Sequence, residues 1–160
     1  MEIVRLGPGD EARLRTIRLR ALRDAPDAFG STAVEVAARP PESWSAQILT
    51  LPTFVAVNRG QDVGLVRYAP DEEHPETGWL ISMWVSPEIR REGVGSALID
   101  AVVELATSKG VAQLALDVSD DNISAVSLYA RKGFDATGEV NTLERPRQHV
   151  CEHRRVLSLR

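Results

Sequence analysis

Seven consecutive residues, Arg90-Arg91-Glu92-Gly93-Val94-Gly95-Ser96, are of the types that hold a multiply charged anion. Glycine lets the main chain approach phosphate oxygens with no Cβ in the way, and Gly93 and Gly95 stand two apart. Helical periodicity opens at Val94, which would bring the positive end of a helix dipole and its free N–H groups to the same spot. Arg90 and Arg91 add cationic donors. The segment is not a Walker A loop, because no Gly-Lys-Ser/Thr follows. Nor is it a dinucleotide fingerprint, because Leu98 stands where the third glycine would fall. Taken alone, a G-x-G pair after a strand is a weak signal that fits a plain helix-initiating turn equally well. With that limit, the residues point to a phosphorylated ligand of neither nucleotide class.

A second group follows downstream. Asn122 suits a helix N-cap with an amide free to reach a ligand, and Tyr129 lies seven residues on, about two turns along the same face. A phenol at hydrogen-bond distance can protonate or stabilise an anionic leaving group. The plainer reading is an interfacial aromatic and a cap. His149 and His153, spaced i and i+4 in an expected strand, would share a face, but two histidines without a third ligand make a poor metal site, so no metal is expected. The single cysteine, Cys151, excludes an intrachain disulfide and a Cys-based zinc site, and reads as a half-buried strand residue.

The elements that must position these groups follow from periodicity. Glu2–Leu6 reads as a strand ended by Gly7-Pro8-Gly9, and Asp10 as the N-cap of a helix to about Arg23. The arginines at 13, 15, 18, 20 and 23 interleave with apolar residues and read as that helix's solvated face. Two short helices are expected between Phe29 and Leu51, the second from about Pro41 with Trp44 and Ile48. Thr53–Asn58 and Val63–Ala69 flank Asn58-Arg59-Gly60-Gln61 as a hairpin. After an acidic loop, Gly78–Val85 is a nearly continuous apolar run, expected to be a central strand covered on both faces. Apolar residues at 94, 97, 98, 101, 102 and 105 predict an amphipathic helix closed by Lys109-Gly110. A strand over 113–118, a helix over 122–132 ended by Gly133, and closing strands over 134–138 and 150–159 complete the order. The result is a single mixed α/β domain of three layers over residues 1–160.

Composition narrows the setting. A chain of 160 residues with 43% hydrophobic and 26% charged residues has the make-up of one soluble domain. A net charge of −4 gives no general attraction to nucleic acid. No apolar run nears the roughly 20 residues that span a bilayer, and Met1–Leu6 lacks the pattern of a signal peptide, so the expected location is cytoplasmic.

Val85-Ser86-Pro87-Glu88-Ile89-Arg90-Arg91-Glu92-Gly93-Val94-Gly95-Ser96-Ala97-Leu98 resembles motif A of the GNAT acetyltransferases. Asn122, Ala125, Leu128-Tyr129 and Gly133-Phe134 fall in the pattern of motif B. The resemblance is firm over residues 78–135 and rests on element order elsewhere. It implies a central, mostly antiparallel sheet of about seven strands flanked by about four helices. It also implies acetyl-CoA as cosubstrate and transfer of acetyl to a primary amine. The loop amides of Arg90, Arg91, Glu92, Gly93, Val94, Gly95 and Ser96 would then bind the coenzyme A diphosphate, with the Arg90 and Arg91 side chains as added donors, and the backbone of Met83, Trp84 and Val85 the pantetheine arm. Asn122 would contact coenzyme A, and Tyr129 would protonate the leaving thiolate. Arg91 departs from the glycine many members carry there, though an amide donor survives. Many members place a glutamate base on the strand before motif A, and this sequence has no carboxylate between Gly78 and Val85. Glu76, Glu72, Glu73, His74, Glu35 and a water chain stay open for that role. The acceptor pocket is expected from the Phe29–Trp44 region, the strand around Trp79–Trp84 and the Thr142–His153 segment. A small-molecule amine is the leading acceptor, with the acidic Asp71–Glu73 loop mildly favouring a cationic one. A protein or peptide α-amine, or a non-catalytic acyl-CoA sensor, are the alternatives. Relatives of this kind are often homodimers, and the apolar C-terminal strand is a candidate for pairing across a two-fold axis.

Overall fold

A computed structural model describes residues 1–160. Seven strands form one sheet in the order β1-β2-β3-β4-β5-β7-β6, antiparallel except for the parallel β4–β5 pair. The strands are β1 (Glu2–Arg5), β2 (Thr53–Asn58), β3 (Gln61–Pro70), β4 (Thr77–Val85), β5 (Gln113–Ser119), β6 (Asp135–Thr142) and β7 (Cys151–Ser158). Five helices flank them: α1 (Glu11–Asp24), α2 (Ala33–Ala37), α3 (Pro41–Thr50), α4 (Val94–Ser108) and α5 (Ile123–Arg131). The fold is the expected three-layer α/β arrangement, with α2, a single short turn of helix, as the fifth helix.

Two apolar cores lie on opposite faces of the sheet. One joins Val66, Tyr68, Leu80, Leu114, Leu116 and Val118 to α4 and to Tyr129 and Phe134. The other joins Val55, Leu65 and Trp84 to α1, α2 and α3. The β2–β3 hairpin turns on Arg59 and Gly60, both left-handed at φ 51° and 76°, which is the type I′ geometry favoured by strand twist.

Several expectations are corrected. Arg18 is buried at 5% exposure, because it falls with Leu14, Ile17, Ala21 and Leu22 on the core face of α1. Asp10 does not cap α1 through its side chain; its Oδ2 accepts from the Gly7 amide instead. β6 runs on to Thr142, since Gly138 at φ 89° absorbs a register shift between Ala136 and Val140 and the pairing with β7 resumes. The C-terminal strand has no free edge for pairing across a two-fold axis: β7 is enclosed by β5 and β6, and the sheet's edges are β1 and β6. Cys151 is exposed rather than half-buried. His149 precedes β7 and His153 lies within it, so the two do not share a strand face; each lies against a carboxylate of its own, Asp27 and Asp120.

Candidate active site

The site begins with a break in the sheet. Register runs from Leu65 opposite Trp84 to Arg67 opposite Ile81, so Ser82 and Met83 together face the single residue Val66. Ser82 takes up the extra residue in the left-handed region at φ 57°. The bulge reverses side-chain parity along β4. Leu80 points to the α4 core and Trp84 to the α1 core, although they are an even number of residues apart. Beyond the pair Trp79–Ala115, β4 and β5 no longer bond to each other. Main-chain groups of β4 from Leu80 to Val85 therefore face an open gap.

A cleft of about 1500 Å³ fills that gap and reaches both faces of the sheet. Its wall holds Met83, Trp84, Val85, Arg90, Arg91, Gly93, Gly95, Ser96, Asn122 and Tyr129. Two residues of the expected set are not on that wall: Val94 is buried in the α4 core, and Glu92 is exposed outside the cleft.

The loop's geometry follows from its residues. Gly93 caps α4 at φ 84°, and its carbonyl accepts the Ala97 amide, so the amides of Val94, Gly95 and Ser96 precede the first intrahelical donor. Gly95 serves packing as well as approach: a Cβ there would lie 2.9 Å from Leu128 Cδ2 and 3.4 Å from Met83 Cε. Arg91 is left-handed at φ 69°, a conformation glycine adopts freely, so the departure at this position carries backbone strain. Arg90 is not free to reach an anion in this geometry. Its Nη2 donates to Asp24 Oδ2 at 2.8 Å and its Nε to the Val85 carbonyl at 2.9 Å. The Trp84 indole donates to the same Asp24 oxygen at 2.9 Å, so one carboxylate ties β4, the loop and α1 together.

Asn122 caps α5: its Oδ1 accepts from the Ala125 amide at 3.2 Å, leaving the side-chain NH₂ unused by the cap. Tyr129 is buried at 5% exposure, edge-on to Phe134 with centroids 5.8 Å apart. Burial pushes its phenol well above the usual tyrosine value, so it holds its proton throughout the physiological range.

The opposite side of the cleft carries carboxylates that periodicity alone did not single out. On β5, Leu114, Leu116 and Val118 fill one core, so Asp117 points to the other face. Asp117 receives both Nε and Nη2 of Arg154, at 3.0 and 3.2 Å, and that guanidinium lies 4.7 Å over the Trp79 ring. Glu152, two residues before Arg154 and opposite Ser119, shares this face and lines the cleft. Burial first, and Asp117 second, raise its carboxyl above the ordinary range, partly offset by Arg147. Parity was the available signal: an acidic residue at an odd position between buried even ones must face away from the α4 core. The acidic loop plays a different part. Asp71 accepts the amides of Glu73 and His74 and the Trp79 indole, and neither it nor Glu35, Glu72, Glu73, His74 or Glu76 lines the cleft.

Segment 25–31 and the residues before β7 close this side. Arg147 donates to the carbonyls of Pro26, Phe29 and Gly30 at 2.8, 2.7 and 2.6 Å, clasping the two loops. Trp44, expected near the pocket, is buried in the α1 core.

Residues 19–134 match the family model described as Acetyltransferase (GNAT) family. The chain belongs to the GNAT acetyltransferase family. Among its relatives, N-acetyltransferase family 8 member 3 of Mus musculus is 35% identical over 89 residues, covering 54% of this chain and 39% of the relative. Mycothiol acetyltransferase of Geodermatophilus obscurus is 31% identical over 134 residues, covering 81% of this chain and 42% of the relative. This GNAT chain thus spans about two-fifths of the length of the curated relatives it matches. YncA of Salmonella typhimurium, a candidate acetyltransferase solved with its cofactor acetyl-CoA, superimposes with a TM-score of 0.81 at 18% identity, covering 100% of this chain and 94% of that one. No helix is long and apolar enough to cross a membrane. No group of three or more His, Cys, Asp or Glu residues is disposed to hold a metal ion.

Proposed function

We propose that this chain transfers acetyl from acetyl-CoA to the primary amine of a small molecule. The observation that carries the reading is the gap between β4 and β5, which joins the free amides of a helix start and a buried phenol on one face to a carboxylate on the other. Acetyl-CoA supplies a thioester and a diphosphate. Amides of residues 91–96 suit the diphosphate, and the open edge of β4 through Met83, Trp84 and Val85 suits the amide-bearing pantetheine arm. Asn122 offers its free NH₂ at the end of the cleft.

Glu152 takes the proton from the acceptor's ammonium, directly or through one water, and its raised affinity for protons fits it to that task. The neutral amine then attacks the thioester carbonyl, the tetrahedral adduct collapses with loss of the C–S bond, the departing sulfur takes the Tyr129 proton, and the surplus proton on the nitrogen passes through water to restore the Tyr129 phenol. Asp117 is held in a two-point pair by Arg154, which fixes the wall of the cleft beside Glu152. The Arg147 clasp walls the acceptor side, which favours a compact amine over a polypeptide.

Thiol release from acetyl-CoA, measured against a panel of small amines and of peptides with free α-amines, tests the reading. Turnover with small amines and its loss in Glu152→Gln are expected. Release with peptides alone would reassign the acceptor, and release with no amine would overturn the transfer reading.

A further inference from the structure

Three arginines line the acceptor side of the cleft without a carboxylate partner. Arg67, from β3, is 2% exposed and Arg18, from α1, 5% exposed; Arg39, partly buried, follows α2. Nε and Nη1 of Arg18 and Nε of Arg67 are buried with no acceptor. The pair's one side-chain hydrogen bond runs from Arg67 Nη2 to Gln47 Oε1, at 2.9 Å. Phe29 offers Arg18 only the face of its ring, 5.7 Å from the guanidinium carbon.

Burying a guanidinium away from water is costly unless an anion answers it, and a guanidinium keeps its proton rather than neutralise. Here the cost is compounded, because burial and the like charges of Arg18 and Arg39 all act against the charged form of Arg67. The cluster is a built but unanswered oxyanion site. Its position is informative: Arg67 pairs directly with Ile81, next to the Ser82 bulge where β4 leaves β5. An anion held there sits one strand away from the main-chain groups that would carry the thioester.

We propose that the acceptor is a compact amphoteric molecule whose amine faces Glu152 and whose oxyanion, a carboxylate in the first instance, is held by Arg18, Arg67 and Arg39. The placement of the amine rests on the transfer reading above; the anion site does not. Planar guanidinium forks suit a planar carboxylate in two parallel hydrogen bonds, with Gln47 fixing one of them in orientation.

The test has two arms. The first measures thiol release with L-amino acids, each beside its primary amide and its decarboxylated amine, with taurine and O-phosphoethanolamine as sulfonate and phosphate arms. At least one acid is expected to exceed its amide in kcat/KM by about 30-fold or more, the scale for leaving a buried charge unpaired. Arg67→Met and Arg18→Met should remove that preference by raising KM for the acid, with KM for acetyl-CoA unchanged. Arg67→Lys, which keeps the charge but not the fork, should restore only part of it. An amide or decarboxylated amine used as well as the acid overturns the proposal, while a preference for taurine or O-phosphoethanolamine keeps the anion site and replaces the carboxylate.

The second arm needs no turnover. The coenzyme A-loaded protein is titrated with N-acetyl amino acids and with their amides, and binding is read by calorimetry and thermal shift. Tighter binding of the acids that is lost in Arg67→Met supports the site even if thiol release fails with every amine, in which case the transfer reading falls alone. Equal behaviour of acids and amides, including no binding by either, overturns the site.

Discussion

Removing one oxygen atom from Tyr129 separates its chemical part from its packing part. In Tyr129→Phe the ring keeps its place against Phe134, and the lost hydroxyl makes no hydrogen bond within the protein. Stability should therefore change by less than about 1 kcal/mol, since no buried partner is left unsatisfied. The chemical loss should be much larger. Burial keeps the phenol protonated at neutral pH, so essentially every enzyme molecule carries the acid when the thiolate departs. General acid catalysis contributes about 100- to 10,000-fold, or roughly 2.7 to 5.4 kcal/mol at 1.36 kcal/mol per decade. The assay is steady-state thiol release with a productive amine, alongside acetyl-CoA affinity by calorimetry and thermal unfolding. A fall in kcat of about 100-fold or more, with affinity within about threefold and Tm nearly unchanged, is expected. A kcat within about threefold of wild type would refute the acid role, and a large drop in Tm would show that the hydroxyl is structural.

Three further outcomes follow from the same geometry. The acid limb of kcat/KM should lie above the ordinary glutamate range, with the rate rising as pH passes upward through the raised Glu152 value; Glu152→Gln should lower the rate about 100-fold and flatten that limb in a pH-rate profile. Arg147→Ala breaks three bonds to the carbonyls of residues 26–30, so faster amide hydrogen exchange in 25–31 and a higher acceptor KM are expected, with acetyl-CoA affinity unchanged. Gly93→Ala places a side chain at φ 84° in otherwise open space, so the strain of about 1 kcal/mol should appear as a Tm lower by roughly 2–4 °C, without a packing defect.

Local signals made much of the fold legible. The apolar spacing from Val94 marks α4 because one stripe of a helix must be buried, and Arg59-Gly60 mark a hairpin because both can turn left-handed. Asn122 announced the start of α5 because its short amide reaches back to the Ala125 amide. What escaped depends on partners distant in the chain. The bulge at Ser82 opens the sheet, yet serine carries no signal for a left-handed strand residue; the register with β3 imposes it. Arg90 looked like a free phosphate ligand until Asp24 came beside it through the packing of α1. Arg18 was readable, since its position repeats that of Leu14 and Leu22 on the helix, but its charge outweighed its phase. Glu152 and Asp117 meet only because β7 inserts beside β5, an order that local sequence does not reveal.

The account turns on the gap between β4 and β5 as the place where the donor lies, and a crystal structure with bound coenzyme A measures that directly. Diphosphate oxygens should lie within about 3.2 Å of amides in residues 91–96, with the pantetheine arm along the open edge of β4 and its sulfur within hydrogen-bond reach of the Tyr129 hydroxyl. Coenzyme A bound elsewhere, or β4 and β5 closed on each other past Trp79 with the ligand outside, would contradict it.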